Sequence, residues 1–158
     1  MSDDAGWLDR AIDLATANVG DGGGPFGAVV VRDGILLADG VNRVTADLDP
    51  TAHAEVVAIR RACREVEAFS LVGATLYASC EPCPLCLCAG LWSRLDRVVF
   101  AADRHQAAAA GFDDAEFHDI LVAQGDPTSW PTALTRLDGP RSDAPFDAWR
   151  ASSSRIDY

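Results

Sequence analysis

Two short groups of residues that lie far apart in the sequence most constrain the fold of this 158-residue chain. The first group contains His53 and Glu55, and the second contains Cys83 and Cys86 directly after Pro82. Histidine nitrogen and cysteine sulfur are ligands that zinc prefers in proteins. A chain that binds one ion through these three ligands must fold so that both groups meet at one point.

The residues before the first group predict a helix and a hairpin. Apolar residues recur at helical spacing over residues 7–18, which favours an amphipathic helix. Residues 26–32 and 35–41 are apolar and rich in β-branched side chains, and they flank Asp33 and Gly34. An Asp-Gly pair between two such runs is a strong hairpin signal. We therefore expect a helix followed by two antiparallel strands.

Alternating helices and strands surround the two groups. The pattern predicts a helix over residues 53–66, a strand over 75–79, a helix over 84–92 that begins with a proline, and a strand over 97–101. This order is typical of a layered α/β domain with crossover helices.

The last third of the chain is less regular. Residues 111–120 are acidic and predict a turn followed by a helix, residues 127–145 are rich in proline and turn residues, and residues 146–150 predict a short helix. Because no repeat or linker divides the sequence, we expect a single domain over residues 1–158.

Composition narrows the possible partners. The formal charge of −11 disfavours a polynucleotide, and all 13 basic residues are arginine, which excludes lysine Schiff bases and a Walker-type phosphate loop. No apolar run approaches the ~18 residues of a membrane span, and the N-terminus is acidic where a signal peptide is basic. Four of the five cysteines lie between positions 80 and 88, which suits a metal or reduced thiols. We therefore expect a cytoplasmic protein.

The spacing of the candidate ligands predicts a catalytic metal site. Cys83 and Cys86 lie one helical turn apart, at a helix start whose positive potential favours thiolates. With His53 at the start of another helix, they form a Cys₂His set that leaves a fourth tetrahedral position to water. Zinc lowers the pKa of such a water towards ~7, and Glu55 is the candidate proton shuttle.

The same cysteine and histidine residues could instead have redox or structural roles. A C-x-x-C pair also occurs in redox proteins and in structural zinc sites, which Cys80 or Cys88 would complete here. If the zinc site is catalytic, Cys80 and Cys88 are packing thiols near it, and Cys63 lies in the core. His105 and His118 lack ligand spacing, so surface or structural roles are expected for both.

Several motifs resemble the cytidine deaminase-like superfamily. An H-x-E pair followed by P-C-x-x-C is the signature of zinc-dependent nucleobase deaminases. The matching segments are Gly24-Pro25-Phe26-Gly27-Ala28, Asn42, Pro50-Thr51-Ala52-His53-Ala54-Glu55 and Ser79-Cys80-Glu81-Pro82-Cys83-Pro84-Leu85-Cys86. Two further segments are similar to the small bacterial guanine deaminases, namely Gly111-Phe112-Asp113-Asp114 and the ending from Pro145 through Trp149 to Tyr158.

The resemblance implies a role for each matching residue. Zinc would be bound by His53, Cys83 and Cys86, with Glu55 as the principal proton shuttle and Asp114 as a second. The purine would be contacted by Phe26, Asn42, Ala54, Trp92 and Tyr158.

The resemblance also implies a fold, an assembly and a reaction. The fold would be a three-layer α/β/α domain with a central mixed sheet of about five strands. Residues 111–158 would form a lid exchanged between the subunits of a homodimer. Zinc-activated water would attack C2 of guanine, giving xanthine and ammonia. The net charge and the lack of an apolar span, rather than the resemblance, predict no nucleic acid or membrane partner.

The motifs leave the substrate open. Guanosine, cytosine, adenine-type bases and triazines are alternatives within the same class of reaction. A tRNA adenosine deaminase is a further alternative that the acidic composition disfavours. A binding module with a structural zinc ion is the alternative from a different class.

Overall fold

The computed structural model describes residues 4–112 and 114–124, together with Ala144, Ala151 and Ser153. The elements follow the chain in the order α1 (Asp4–Gly20), β1 (Gly27–Arg32), β2 (Ile35–Val41), α2 (Val44–Asp47), α3 (Ala54–Glu65), β3 (Ala74–Cys80), α4 (Pro84–Trp92), β4 (Arg97–Ala102), α5 (Arg104–Ala109) and α6 (Asp114–His118). A π-helical segment, Asp119–Gln124, continues directly from α6.

The strands form one mixed sheet in the order β2-β1-β3-β4. β1 pairs antiparallel with β2 and with β3, whereas β3 and β4 are parallel and are connected through α4. Asp33 and Gly34 both have positive φ angles, 53° and 73°, as a tight two-residue hairpin turn requires. The described residues thus contribute four strands to a sheet for which about five were expected.

Helices cover both faces of the sheet. Along β1, Ala28 and Val30 point to the face on which α3 packs, and Val29 and Val31 point to the face of α1. This alternation follows the two-residue period of a strand whose two faces are both buried. The three-layer α/β/α architecture that the family resemblance implied is confirmed.

Two glycines let the helices approach the sheet closely. A Cβ atom at Gly27 would collide with the backbone of α1, at Ala11 and Ala15. At Gly40 a Cβ atom would collide with the backbone of α3, where it would meet the carbonyl of Ala54 and lie 2.6 Å from the nitrogen of Ala58. Both contacts are backbone contacts, so neither can be relieved by a side-chain rotation.

The predicted helices and strands up to residue 102 are all present, and two short helices were not predicted. These are α2 and α5, the second of which begins at a capping box in which Asp103 and Gln106 bind each other's backbone amides. The turn and helix predicted over residues 111–120 correspond to α6. Predictions for residues 127–145 and 146–150 lie outside the described residues. Among the helices described, none is long and apolar enough to cross a membrane.

Candidate metal centre and substrate cavity

His53 and Cys83 occupy equivalent positions at the starts of two helices. His53 is the N-cap residue of α3, with φ −65° and ψ 152°, and Cys83 is the N-cap residue of α4, with φ −66° and ψ 168°. Neither side chain caps its own helix. The backbone carbonyl of each residue accepts the first hydrogen bond of its helix. Because neither side chain is used as a cap, both can serve as metal ligands.

Three candidate ligand atoms form a compact triangle. The Sγ atoms of Cys83 and Cys86 are 3.7 Å apart, and each lies 3.5 Å from Nδ1 of His53. Tetrahedral zinc, with bonds of about 2.3 Å to sulfur and about 2.0 Å to nitrogen, would separate its ligands by about 3.8 Å and about 3.5 Å respectively. The triangle fits this ion, and it is the one group of three metal-binding side chains within the described part of the chain.

The two cysteines are electrostatically unequal. The two thiols share a hydrogen bond, and this bond, with His53 nearby, lowers the pKa of Cys83 to about 4. The same hydrogen bond, together with burial, raises the pKa of Cys86. A divalent cation that binds both sulfurs must therefore displace the proton of Cys86, whose pKa is raised.

Glu55 lies beside this triangle without belonging to it. Its side chain is buried in the first turn of α3, and burial raises its pKa, as does the nearby charge of Cys83. A buried carboxyl whose pKa is raised, placed next to a metal site, is suited both to accept and to deliver a proton.

A cavity of about 310 Å³ opens beside the candidate ligands. Residues predicted from the sequence contribute to its lining, namely Phe26, Asn42, His53, Glu55 and Cys83. Further lining residues were not predicted, among them Val44, Thr45, Glu81, Phe112 and Phe117. Its size and mixed apolar and polar lining are typical of sites for small molecules.

Asn42 is partly buried and is held in place by hydrogen bonds, one of them from the buried Asn18. The Oδ1 atom of Asn42 accepts from the backbone N–H of Val44 at 3.2 Å, which turns its amide nitrogen away from that contact. Nδ2 of Asn18 donates to the carbonyl oxygens of Gly24 and Asn42, at 2.8 and 2.9 Å. Asn18 thus ties together two loops that line the cavity, a role that no spacing in the sequence indicates.

Residues 1–102 match the family described as cytidine and deoxycytidylate deaminase, zinc-binding region. The matched part contains both helix starts and all three corners of the triangle. The chain belongs to this deaminase family. It is therefore an enzyme, and its cofactor is one zinc ion.

Individual relatives of the deaminase extend this likeness. Guanine deaminase of Bacillus subtilis is 45% identical over 153 residues, which cover 96% of this chain and 97% of that protein. The X-ray structure of the Bacillus subtilis guanine deaminase gives a TM-score of 0.92 at 42% identity, over 100% of this chain and 99% of the other. The tRNA-specific adenosine deaminase of Haemophilus influenzae is 37% identical over 122 residues, or 73% of this chain and 70% of that protein.

Neither of the cysteines considered as a fourth ligand lies in the ligand triangle of the deaminase. Cys80 is buried, and its thiol donates to the carbonyl oxygen of Asp103 at 3.7 Å. Cys88 is exposed on α4. With neither sulfur in the triangle, the described residues leave one side of a bound ion open, as a catalytic site requires.

The remaining predicted site residues of the deaminase lie in different surroundings. Ala54 is fully buried against the sheet at the start of α3. Trp92, at the end of α4, is 64% exposed and does not line the cavity. Asp114 is the first residue of α6, but its side chain lies outside the described structure, as does Tyr158.

Proposed function

We propose that the protein hydrolyses guanine to xanthine and ammonia. The observation that carries the proposal is the extent of the likeness. The family match ends at residue 102, whereas the match to a guanine deaminase covers 96% of the chain. The likeness to a tRNA-specific adenosine deaminase covers 73%. The substrate of the full-length relative is therefore the better guide.

His53, Cys83 and Cys86 would hold the zinc ion, since their three ligand atoms already have tetrahedral spacing. When bound, the ion supplies a water whose pKa is lowered towards ~7. Two helix starts fix the ligands, so that ligand positions change little when the ion binds.

Glu55 would move the protons that the reaction requires. Water adds to C2 of guanine, and one of its protons passes through the Glu55 carboxylate to a ring nitrogen. A second proton then reaches the amino group, so that ammonia leaves as the C2–N bond breaks and the carbonyl of xanthine forms. Burial of Glu55 excludes bulk water from this path. Asp114 would assist as a second shuttle.

The aromatic and amide side chains would hold the base. Phe26 and Phe112 meet edge to face, with ring centroids 4.8 Å apart, and both line the cavity. A planar purine can stack on one such ring while its polar edge meets Asn42. Trp92 and Tyr158 are proposed to contact the base from the second subunit of a dimer. Ala54 would contact the base through its backbone atoms.

A substrate panel tests the proposal. Guanine, guanosine, adenine, adenosine, cytosine, cytidine and the triazine ammeline are each incubated with the zinc-loaded protein, and ammonia is measured. Guanine is expected to be the preferred substrate, with xanthine as the product. Turnover of another base with guanine inert would contradict the proposal, and no turnover at all would favour a structural zinc module.

A tRNA substrate is disfavoured by charge. The net charge of −11 repels phosphates, so no salt-sensitive complex with tRNA is expected at moderate ionic strength. Tight binding in a filter or gel-shift assay would reverse that judgement.

The five free cysteines support a reducing compartment, the cytoplasm.

We infer further that the protein is a homodimer whose C-terminal segments are exchanged. The exchanged segment is expected to lie within residues 111–158, of which Phe112 and Phe117 line the cavity. Leu91 and Trp92 on α4 are 71% and 64% exposed, which supports a contact with a second copy there.

Complementation between two inactive chains tests the exchange. One chain carries Glu55→Gln, and the other lacks residues 156–158. After unfolding and refolding together, the mixed dimers should regain activity, because one site then combines an intact Glu55 with an intact tail from the partner. A mixture no more active than the two separate proteins, or a monomer in light scattering, would contradict the exchange.

A further inference from the structure

Glu81 is a second carboxylate at the edge of the cavity, and both of its oxygens are bound by a single residue. The side chain is 19% exposed and follows β3, two residues before Cys83. Its Oε2 accepts from the backbone N–H of Arg104 at 3.0 Å, and its Oε1 accepts from the Arg104 guanidinium, also at 3.0 Å. The backbone N–H of Glu81 donates to the carbonyl of Ala102 at 2.7 Å. The loop that carries Cys83 is thereby attached to the start of α5.

The same guanidinium reaches α6. Nη1 of Arg104 lies 3.5 Å from Nδ1 of His118, which can accept a hydrogen bond from it. His118 is 93% buried, and its Nε2 atom has no hydrogen-bond partner within the described residues. A buried polar atom left without a partner costs free energy, so His118 is a poor choice if its only task is to fill space.

α6 and the turn before it form the aromatic side of the cavity. Phe117 precedes His118 directly, and Phe112 lies just before α6, where its backbone N–H donates to Ala107 of α5. Arg104 therefore has the metal-ligand loop on one side and the aromatic wall on the other.

We propose that Arg104 is a positioning residue that sets the separation between the metal loop and the aromatic wall through Glu81 and His118. It does so without touching the base or the zinc. The separation determines how well a planar base fits between the metal side and the phenyl rings. The bridge formed by Glu81, Arg104 and His118 therefore affects the affinity for the substrate more than the rate of the chemical step. The proposal rests on the base-deaminating function given above.

Substitutions at His118 separate positioning from packing. His118→Asn keeps an acceptor near the position of Nδ1, whereas His118→Leu keeps the volume and removes both nitrogens. Removing the unpartnered Nε2 should leave the melting temperature equal or higher in the leucine variant. A purely structural residue would then show no functional loss, but positioning predicts that KM rises about fivefold to tenfold, with kcat within about twofold.

Arg104 is tested beside a matched arginine. Arg104→Gln should lower kcat/KM by about tenfold to a hundredfold, with one zinc per chain retained, and Arg104→Lys should fall between it and the wild type. Arg97→Gln is the control, because Arg97 also binds a carboxylate at 3.0 Å, but its partner Asp4 does not line the cavity, whereas Glu81, the partner of Arg104, does. It should leave KM unchanged.

Each outcome bears on the bridge. A KM in His118→Leu equal to that of His118→Asn, or losses in Arg104→Gln that follow loss of zinc, would overturn the proposal. If Arg104→Gln does not fold, the His118 pair decides. Kinetics are measured with whichever aminated base the wild type turns over, so an inactive guanine assay would refute the proposed substrate alone. Faster amide hydrogen exchange over residues 114–118 in Arg104→Gln provides a readout that needs no substrate.

Discussion

The cavity has two sides that are built in different ways. On the metal side, His53, Cys83 and Cys86 stand at two helix starts, and the neighbouring Glu55 is buried. On the opposite side, Phe112 and Phe117 come from a short helix and the turn before it, and both rings are partly exposed. The metal side is held by the central layers of the fold, whereas the aromatic side depends on a few contacts with α5 and with Phe26.

We infer from this difference that the metal side carries the chemical step and the aromatic side recognises the base. Chemistry on a metal requires ligand positions that are fixed to a fraction of an ångström, and helix starts packed on a sheet provide that rigidity. Recognition of a base tolerates more variation, and loops or short helices can vary without disturbing the core. Reaction type should therefore be sensitive to changes on the metal side, and substrate preference to changes on the aromatic side.

Removal of a metal ligand should have the largest effect. His53→Ala is expected to abolish stoichiometric zinc and all measurable turnover, because two sulfurs alone hold the ion weakly. Zinc content by atomic absorption and ammonia release are measured together. Full activity at normal zinc content would show that His53 is not a ligand. Phe117→Leu, on the other side of the cavity, serves as the control that keeps its zinc.

Glu55→Gln should spare the metal and stop the proton transfer. The amide is nearly isosteric and cannot shuttle a proton, so kcat should fall by ~10² to 10⁴ while zinc remains at one per chain. Zinc content, circular dichroism and kcat provide the comparison. Unchanged turnover would remove Glu55 from the mechanism, and a simultaneous loss of zinc would make it a structural residue.

Zinc affinity should depend on pH with the loss of one proton. The pKa of Cys83 is lowered to about 4, so its thiolate exists before zinc binds, whereas the raised pKa of Cys86 means that its proton must leave. Affinity should therefore rise about tenfold per pH unit between roughly pH 7 and 8, where two unperturbed thiols would give nearly a hundredfold. Chelator competition measures the slope, and Glu55→Gln removes any contribution from that carboxyl. A slope of two would contradict the unequal pair.

Change on the aromatic side should have the smallest effect. Phe112→Leu removes the edge-to-face contact with Phe26 and should raise KM about fivefold, equivalent to about 1 kcal/mol, with kcat and zinc content nearly unchanged. Steady-state kinetics with guanine and with other bases provide the measurement. An equal effect on KM and kcat would indicate that this wall also orients the reacting atoms.

The metal side could be predicted because its information is local. His53 and Glu55 fall in one helical turn, Cys83 and Cys86 in another, and the strands between them have clear apolar patterns. The Asp-Gly hairpin was equally readable, because a two-residue turn with positive φ angles favours that pair.

The aromatic side could not be predicted in the same way. Phe112, Phe117 and Glu81 reach the cavity through tertiary packing, which leaves no periodic signal. Asn18 was missed for the same reason, since its partners Gly24 and Asn42 lie in other loops. Only α5 carried a usable signal, because Asp103 and Gln106 have the spacing of a capping box.

Gly40 is a position close to the candidate metal ligands where tolerance to substitution should not follow chemical role. It has no polar side-chain atom and lies in β2, yet it touches the backbone of α3 directly behind Ala54, the neighbour of His53. Adding a single methyl group would push that helix start away from the sheet, while Cys83, on a different helix, would stay where it is. A glycine-to-alanine substitution at this position would thus harm the enzyme in the same way as a substitution of a metal ligand.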